Sequence, residues 1–236
     1  MSSGSPRQLV LDIAPRPAYG SEDFLVAPSN QLAFTFVENW PKWPSSLSLL
    51  IGPEGTGKTH LLEIWRRRAG AQLVDISVLN ENLVPTLMPP GAAVALKHTV
   101  GTKINQKALF HLLNAAKENN GYVLVASRSL PKTWDLTLPD LVSRLAAAPA
   151  IHVQPAEEEL LRGVLVKLFA DRQCAVDEGF IQYLITRMPR SLAAARSLVM
   201  AIDERSLATG AAPSRQIAAQ VLAELAGGDA TREEGV

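Results

Sequence analysis

One segment constrains this chain more than any other: Gly52-Pro53-Glu54-Gly55-Thr56-Gly57-Lys58-Thr59. It satisfies the pattern G-x-x-x-x-G-K-[ST] at every position. The apolar run Leu47 to Ile51 leads into it. A helical pattern from His60 to Arg68, apolar at Leu61, Leu62, Ile64 and Trp65, leads out. A buried strand, a glycine-rich turn and a helix form the context in which such a loop cradles phosphate. Glycines let successive backbone N–H groups turn inward as an anion nest. The N-terminus of the following helix adds partial positive charge. Lys58 is placed to reach the β- and γ-phosphates, and Thr59 to hold Mg²⁺. The candidate nucleotide-binding residues are therefore Gly52, Gly55, Thr56, Gly57, Lys58 and Thr59, with ADP or ATP as ligand. A turn of the same shape that has lost its ligand is the alternative.

The pattern around the loop predicts an α/β fold. Further strands are expected at 72–75, 92–96, 122–126 and 151–153. A helix is expected between the third and fourth of the five, where Leu109, Leu112, Leu113 and Ala116 recur at i, i+3, i+4 and i+7. Ahead of the loop, Ser29 or Asn30 is a candidate N-cap for a short helix with Leu32, Phe34 and Val37 on its apolar face. Strand–helix alternation of this kind argues for a parallel sheet covered on both faces. After Pro155 the pattern becomes purely helical. Four apolar faces follow: Leu161, Val164, Leu165 and Leu168; Phe180, Ile181, Leu184 and Ile185; Leu192, Ala195, Val199 and Ile202; and Ile217, Val221 and Leu225. The expected organisation is a flexible tail over 1–20, a parallel-sheet domain over 21–155, a small all-helical domain over 156–226 and a disordered tail over 227–236.

Composition narrows the class. Of 236 residues, 47% are apolar, enough for a substantial core. The 23 basic and 23 acidic side chains cancel. A protein whose main task is gripping nucleic acid usually carries a basic surplus; this chain has none overall, which leaves only a local basic face open, and DNA is expected only as an indirect partner. The lone Cys174 excludes an internal disulfide, and no Cys or His spacing of metal type exists. Neither a signal-peptide pattern nor a run of ~20 apolar residues occurs, which points to the cytoplasm and away from a membrane. His60, His98, His111 and His152 are assigned no catalysis, and Arg66-Arg67-Arg68 is expected to be a solvated helix end.

What the loop lacks is as informative. A phosphate-loop ATPase needs acids at the end of a neighbouring strand, an Asp to help hold Mg²⁺ and often a Glu to polarise the attacking water. The suited strand, 92–96, runs instead into Lys97 and His98, and no Asp or Glu occurs between Glu81 and Glu118. A cation there opposes Mg²⁺ binding and leaves the water without a base. Weak or absent hydrolysis is expected, with nucleotide binding still open.

With these features the sequence resembles the DnaA family of AAA+ proteins, and within it the Hda group of DnaA regulators. The resemblance covers nearly the whole chain. It rests on Asp23-Phe24-Leu25-Val26 with Ser29-Asn30-Gln31-Leu32-Ala33 ahead of the loop, on the loop itself, on Leu138-Pro139-Asp140-Leu141-Val142-Ser143-Arg144-Leu145, and on the helical run from Ala156 to Leu225. It implies a P-loop AAA+ domain followed by a helical lid. It also implies an arginine finger at Arg144 acting in trans; taken alone, Arg144 reads as a helix-end arginine paired with Asp140 at i, i+4. The first-sensor position falls on Ser127. The second-sensor arginine is replaced by Ala193, with Arg190 and Arg196 on the same helix as candidate substitutes. Gln8, Leu9, Leu11 and Ile13 of Gln8-Leu9-Val10-Leu11-Asp12-Ile13 are similar to the peptide with which Hda proteins bind the DNA polymerase sliding clamp, a Gln amide plus aliphatic anchors. Too little chain follows the last expected helix for the helix-turn-helix domain of DnaA. The implied function is negative regulation of replication initiation, with the sliding clamp and DnaA as partners and DnaA's ATP as the bond broken. A non-stimulating adaptor and a weak ATPase of helicase-loader type are the alternatives. Self-association stays open.

Overall fold

A computed structural model of the chain describes residues 24–233, with side chains up to residue 225. Five strands form one parallel sheet: β1 (Leu47–Ile51), β2 (Gln72–Asp75), β3 (Ala93–Lys97), β4 (Tyr122–Ser127) and β5 (Ala150–His152). They stand in the order β2-β3-β4-β1-β5. Because all are parallel, their carboxyl ends share one edge, where ligands of open α/β sheets collect.

Strands covered on both faces read as continuous apolar runs, and β1 is buried at all five positions. Alternate side chains still go to opposite sides. Leu49, Val94, Leu96, Val123 and Val125 pack against Leu109, Leu112 and Leu113 of helix α4 (Gln106–Glu118) and against Leu141 and Leu145 of helix α5 (Pro139–Ala146). Leu50, Ala95, Leu124 and Ala126 pack on the other face, against Ala33 and Val37 of helix α1 (Gln31–Glu38) and Leu61, Leu62 and Trp65 of helix α2 (Lys58–Ala69). Between β2 and β3 lies a one-turn helix, α3 (Val84–Leu87).

Beyond β5 the chain is helical, with α6 (Glu158–Asp171), α7 (Glu178–Ile185), α8 (Leu192–Thr209) and α9 (Arg215–Glu233). Their core is built by Leu161, Leu165, Phe169, Phe180, Ile181, Leu184, Ala195, Val199, Ile202, Ile217 and Val221. No helix among the described residues is long and apolar enough to cross a membrane.

Three local expectations change. Leu32 is not on the packed face of α1 but 79% exposed; the eight-residue helix buries Ala33 and Val37, one turn apart, and Leu32 lies off that stripe. Asn30 precedes α1 without capping it by its side chain. Its amide instead accepts from Ala27 N–H and donates to Leu25 C=O, which ties the lead-in segment down. At the other end, α9 continues through residue 233 where a tail was expected from 227. Two glycines cost a helix roughly 1 kcal/mol each against alanine, and the good helix formers on either side outweigh them.

Candidate functional site

The phosphate loop follows β1 at the carboxyl edge and opens into α2. Gly52 is required by crowding: a Cβ there would lie 2.2 Å from the Val153 carbonyl oxygen. Gly55 has φ +73° and a Cβ there would meet Ser191 Oγ at 1.8 Å. This contact is a docking point. Ser191 caps α8 by accepting from Ala194 N–H, and Leu192 N–H donates to Gly55 C=O at 2.8 Å. The helical unit is thus fastened to the loop by the start of α8.

Lys58 is buried and donates to the Pro53 carbonyl of its own loop, with Thr56 Oγ1 at 3.4 Å. Burial, reinforced by the nearby positive Arg128 and opposed by Glu54, lowers its pKa to about 8. Arg128 and Glu54 form an ion pair across the mouth of the loop. An open cleft of about 900 Å³ runs from the loop to α6 and α8. Six cations line it (Lys58, Lys97, Arg128, Lys167, Arg172 and Arg196) against two acids among the described residues, Glu54 and Asp171. Both acids are engaged, Glu54 by Arg128 and Asp171 by Lys167.

His98 fills the place where an acid would serve the loop. It is 6% exposed, stacks on Trp134 with ring centroids 4.3 Å apart, and its Nδ1 shares a 2.9 Å hydrogen bond with Ser127 Oγ. Ser127 also accepts from Ser129 N–H. Burial lowers the His98 pKa, with Asp75 opposing, so the imidazole is neutral near pH 7. Asp75, next to Lys97 in the register of the sheet, is spent on Ser77, accepting from its N–H and Oγ–H. Mg²⁺ asks for oxygen ligands in octahedral array. Thr59 offers a hydroxyl, but β3, one strand beyond β4 from the loop's own β1, ends in Lys97 and leads into the neutral imidazole of His98. The residues present do not fit the metal, and no group of three or more His, Cys, Asp or Glu is gathered for any metal among the described residues.

The remaining sequence candidates divide. Arg196 lines the cleft, with Nη2 3.2 Å from His60 Nδ1. Arg190 is exposed and lies outside the cleft lining. Ala193 lines the cleft but brings no charge. Arg144 lies on the last turn of α5, away from the cleft, over the Phe110 ring at 5.3 Å from the centroid. Its Nη1 is shielded from solvent without a hydrogen-bond partner. The Asp140 pairing read from spacing does not form; the ring of α4 holds the guanidinium instead. Arg66 and Arg67 pair with Glu63 and Arg68 with Glu38, rather than standing as a simply solvated end. The peptide Gln8, Leu9, Leu11 and Ile13 lies outside the described residues. Sequence reasoning passed over Arg128, His60 and His98 as site residues. The adjacency of Arg128 to Ser127 was a usable signal for the first and the place of His98 after the third strand for the last, whereas His60 carried none.

No family model matches the chain. It is 25% identical over 195 residues to the chromosomal replication initiator protein DnaA 1 of Chlamydia pneumoniae, covering 72% of this chain and 42% of that one. The chain spans less than half the length of the curated relatives it matches. Domain III of the Thermotoga maritima replication initiation protein DnaA superposes with a TM-score of 0.74 at 18% identity, covering 89% of this chain and 97% of that one. A replication initiator DnaA bound to AMPPCP and single-stranded DNA superposes with a TM-score of 0.64 at 17% identity, covering 83% of this chain and 69% of that one. The fold is that of an AAA+ P-loop domain, and the sequence is related to the DnaA initiators.

Proposed function

We propose that this DnaA-related AAA+ chain is a negative regulator of replication initiation of the Hda type, which acts on a partner's nucleotide rather than its own. The observation that carries this is Arg144. A guanidinium with a buried, unpaired N–H costs about 1–3 kcal/mol, and Arg144 keeps one while standing outside its own cleft. The Phe110 ring fixes the guanidinium, and its other nitrogens, rather than the shielded Nη1, are the ones left to meet an anion on another molecule. In an AAA+ pair that anion is the γ-phosphate bound by the neighbour, where a fixed arginine stabilises the charge developing during hydrolysis. The neighbour is ATP-bound DnaA, which becomes ADP-bound and inactive.

The chain's own cleft takes an adenine nucleotide through Gly52, Gly55, Thr56, Gly57, Lys58 and Thr59, with Arg196 from the lid, and hydrolyses it poorly because His98 and Lys97 stand where the acids belong. AMPPCP in a solved DnaA of the same fold supports the nucleotide reading. Residues Gln8, Leu9, Leu11 and Ile13 tether the protein to the sliding clamp, a reading that rests on their sequence.

The test is the fraction of DnaA-bound ATP converted to ADP with clamp loaded on DNA. Adding this protein should raise conversion, and Arg144→Ala and Gln8→Ala should each abolish the rise. Unchanged conversion with the clamp bound would instead favour a non-stimulating adaptor.

A further inference from the structure

The cleft must neutralise a nucleotide's phosphates without the usual help. In a loop served by acids, a divalent cation bridges the outer phosphate oxygens and the acids hold the cation. Here β4, the strand beside the loop's own β1, ends at Ser127 and is followed by Arg128, and β3 beyond it ends in Lys97, so two cations line the edge where acidic, metal-holding side chains would be. Nearby carboxylates are committed: Glu54 to Arg128, Asp75 to Ser77. Burial is the main cause that lowers the Lys58 pKa, with Arg128 adding to it and Glu54 opposing. A bound metal ion would add two more positive charges to this cluster. A polyphosphate alone would relieve it.

Resting on the reading of this cleft as a nucleotide site, we infer that it binds nucleoside di- or triphosphate as the metal-free anion, with Lys97 and Arg128 supplying the counter-charge that Mg²⁺ supplies elsewhere. Opposite charges at contact distance in a half-open site are worth about a tenfold change in affinity. The protein would then hold its nucleotide regardless of free Mg²⁺, while a partner with an acidic edge hydrolyses its own only with the metal.

The experiment is calorimetric titration of the full chain with ADP and with ATP, in excess EDTA and in excess Mg²⁺. Affinity in EDTA should equal or exceed that in Mg²⁺. Lys97→Ala and Arg128→Ala should each weaken binding in EDTA by about tenfold, with a smaller loss in Mg²⁺. Lys97→Asp should reverse the preference, so that Mg²⁺ tightens binding. Native protein that binds only with Mg²⁺, or much more tightly with it, overturns the inference and leaves the nucleotide reading standing. No binding in either condition overturns both. Binding in EDTA that neither alanine variant weakens overturns the assignment of Lys97 and Arg128. Both residues are exposed at the cleft, and thermal unfolding checks that each of the three variants is folded.

Discussion

His98 Nδ1 and Ser127 Oγ lie 2.9 Å apart, joining the carboxyl ends of β3 and β4 beside the phosphate loop. The bond makes an internal strut between the two strand ends, with the Trp134 ring against the imidazole at 4.3 Å between centroids. Function and stability meet at this pair, and replacing either member should be felt in both.

His98→Ala should cost about 2 kcal/mol, the usual toll of emptying a packed, hydrogen-bonded site. Urea unfolding measures it; a loss below about 0.5 kcal/mol would show that the imidazole is not packed. The histidine also sets an acid dependence. Its folded pKa is lowered by burial below the unfolded 6.5. Between the two values the unfolded chain holds more protons, so stability falls as pH drops through 6.5 toward the folded value. His98→Gln should flatten that slope.

Lys58 should show the reverse trade between stability and function. Its folded pKa of about 8 lies below the unfolded 10.5. The cost of burying the ammonium is fully present below pH 8 and is relieved as pH rises from 8 to 10.5. Lys58→Met keeps the stem and removes the charge. It should unfold about 1–2 kcal/mol later than native protein at pH 7, discounting for water in the open cleft, and lose that advantage by pH 10.5. Nucleotide binding should disappear at every pH.

Gly55 and Ser191 should couple. Gly55→Ala forces a Cβ into the Ser191 side chain at a positive φ and should destabilise by about 2–3 kcal/mol. Ser191→Gly alone costs a few tenths, because glycine is a fair N-cap. The double variant should recover about 1 kcal/mol of the loss, and a strictly additive cycle would mean that the lid does not rest on the loop.

Arg144 should be nearly silent in stability. Arg144→Met gives up a cation–π contact worth about 0.5–1 kcal/mol and also removes the shielded, unpaired N–H. The two changes oppose, so chemical denaturation should shift by less than about 0.5 kcal/mol. Stimulation of DnaA's ATP hydrolysis should be lost in both Arg144→Met and Arg144→Lys. Recovery by lysine would mean that charge alone, without the planar fork, is sufficient.

What the sequence determined was everything carried by local pattern. The three central strands, β1, β3 and β4, show as apolar runs because both of their faces are covered; the edge strands β2 and β5 show more faintly, being half-exposed. The loop from Gly52 to Thr59 shows because phosphate chemistry demands those residues at that spacing. The missing acids show because Lys97 and His98 stand in their place one residue after the other. The tertiary structure decided what depends on contacts between distant segments. Twenty-nine residues separate His98 from Ser127 and 136 separate Arg196 from His60; no periodicity encodes such pairs, since each is set by how two independently formed elements pack. Packing likewise chose the Phe110 ring over Asp140 for Arg144, left Leu32 in solvent, and brought the first residues of α8 onto Gly55, because side-chain direction becomes a constraint once the helices have somewhere to sit.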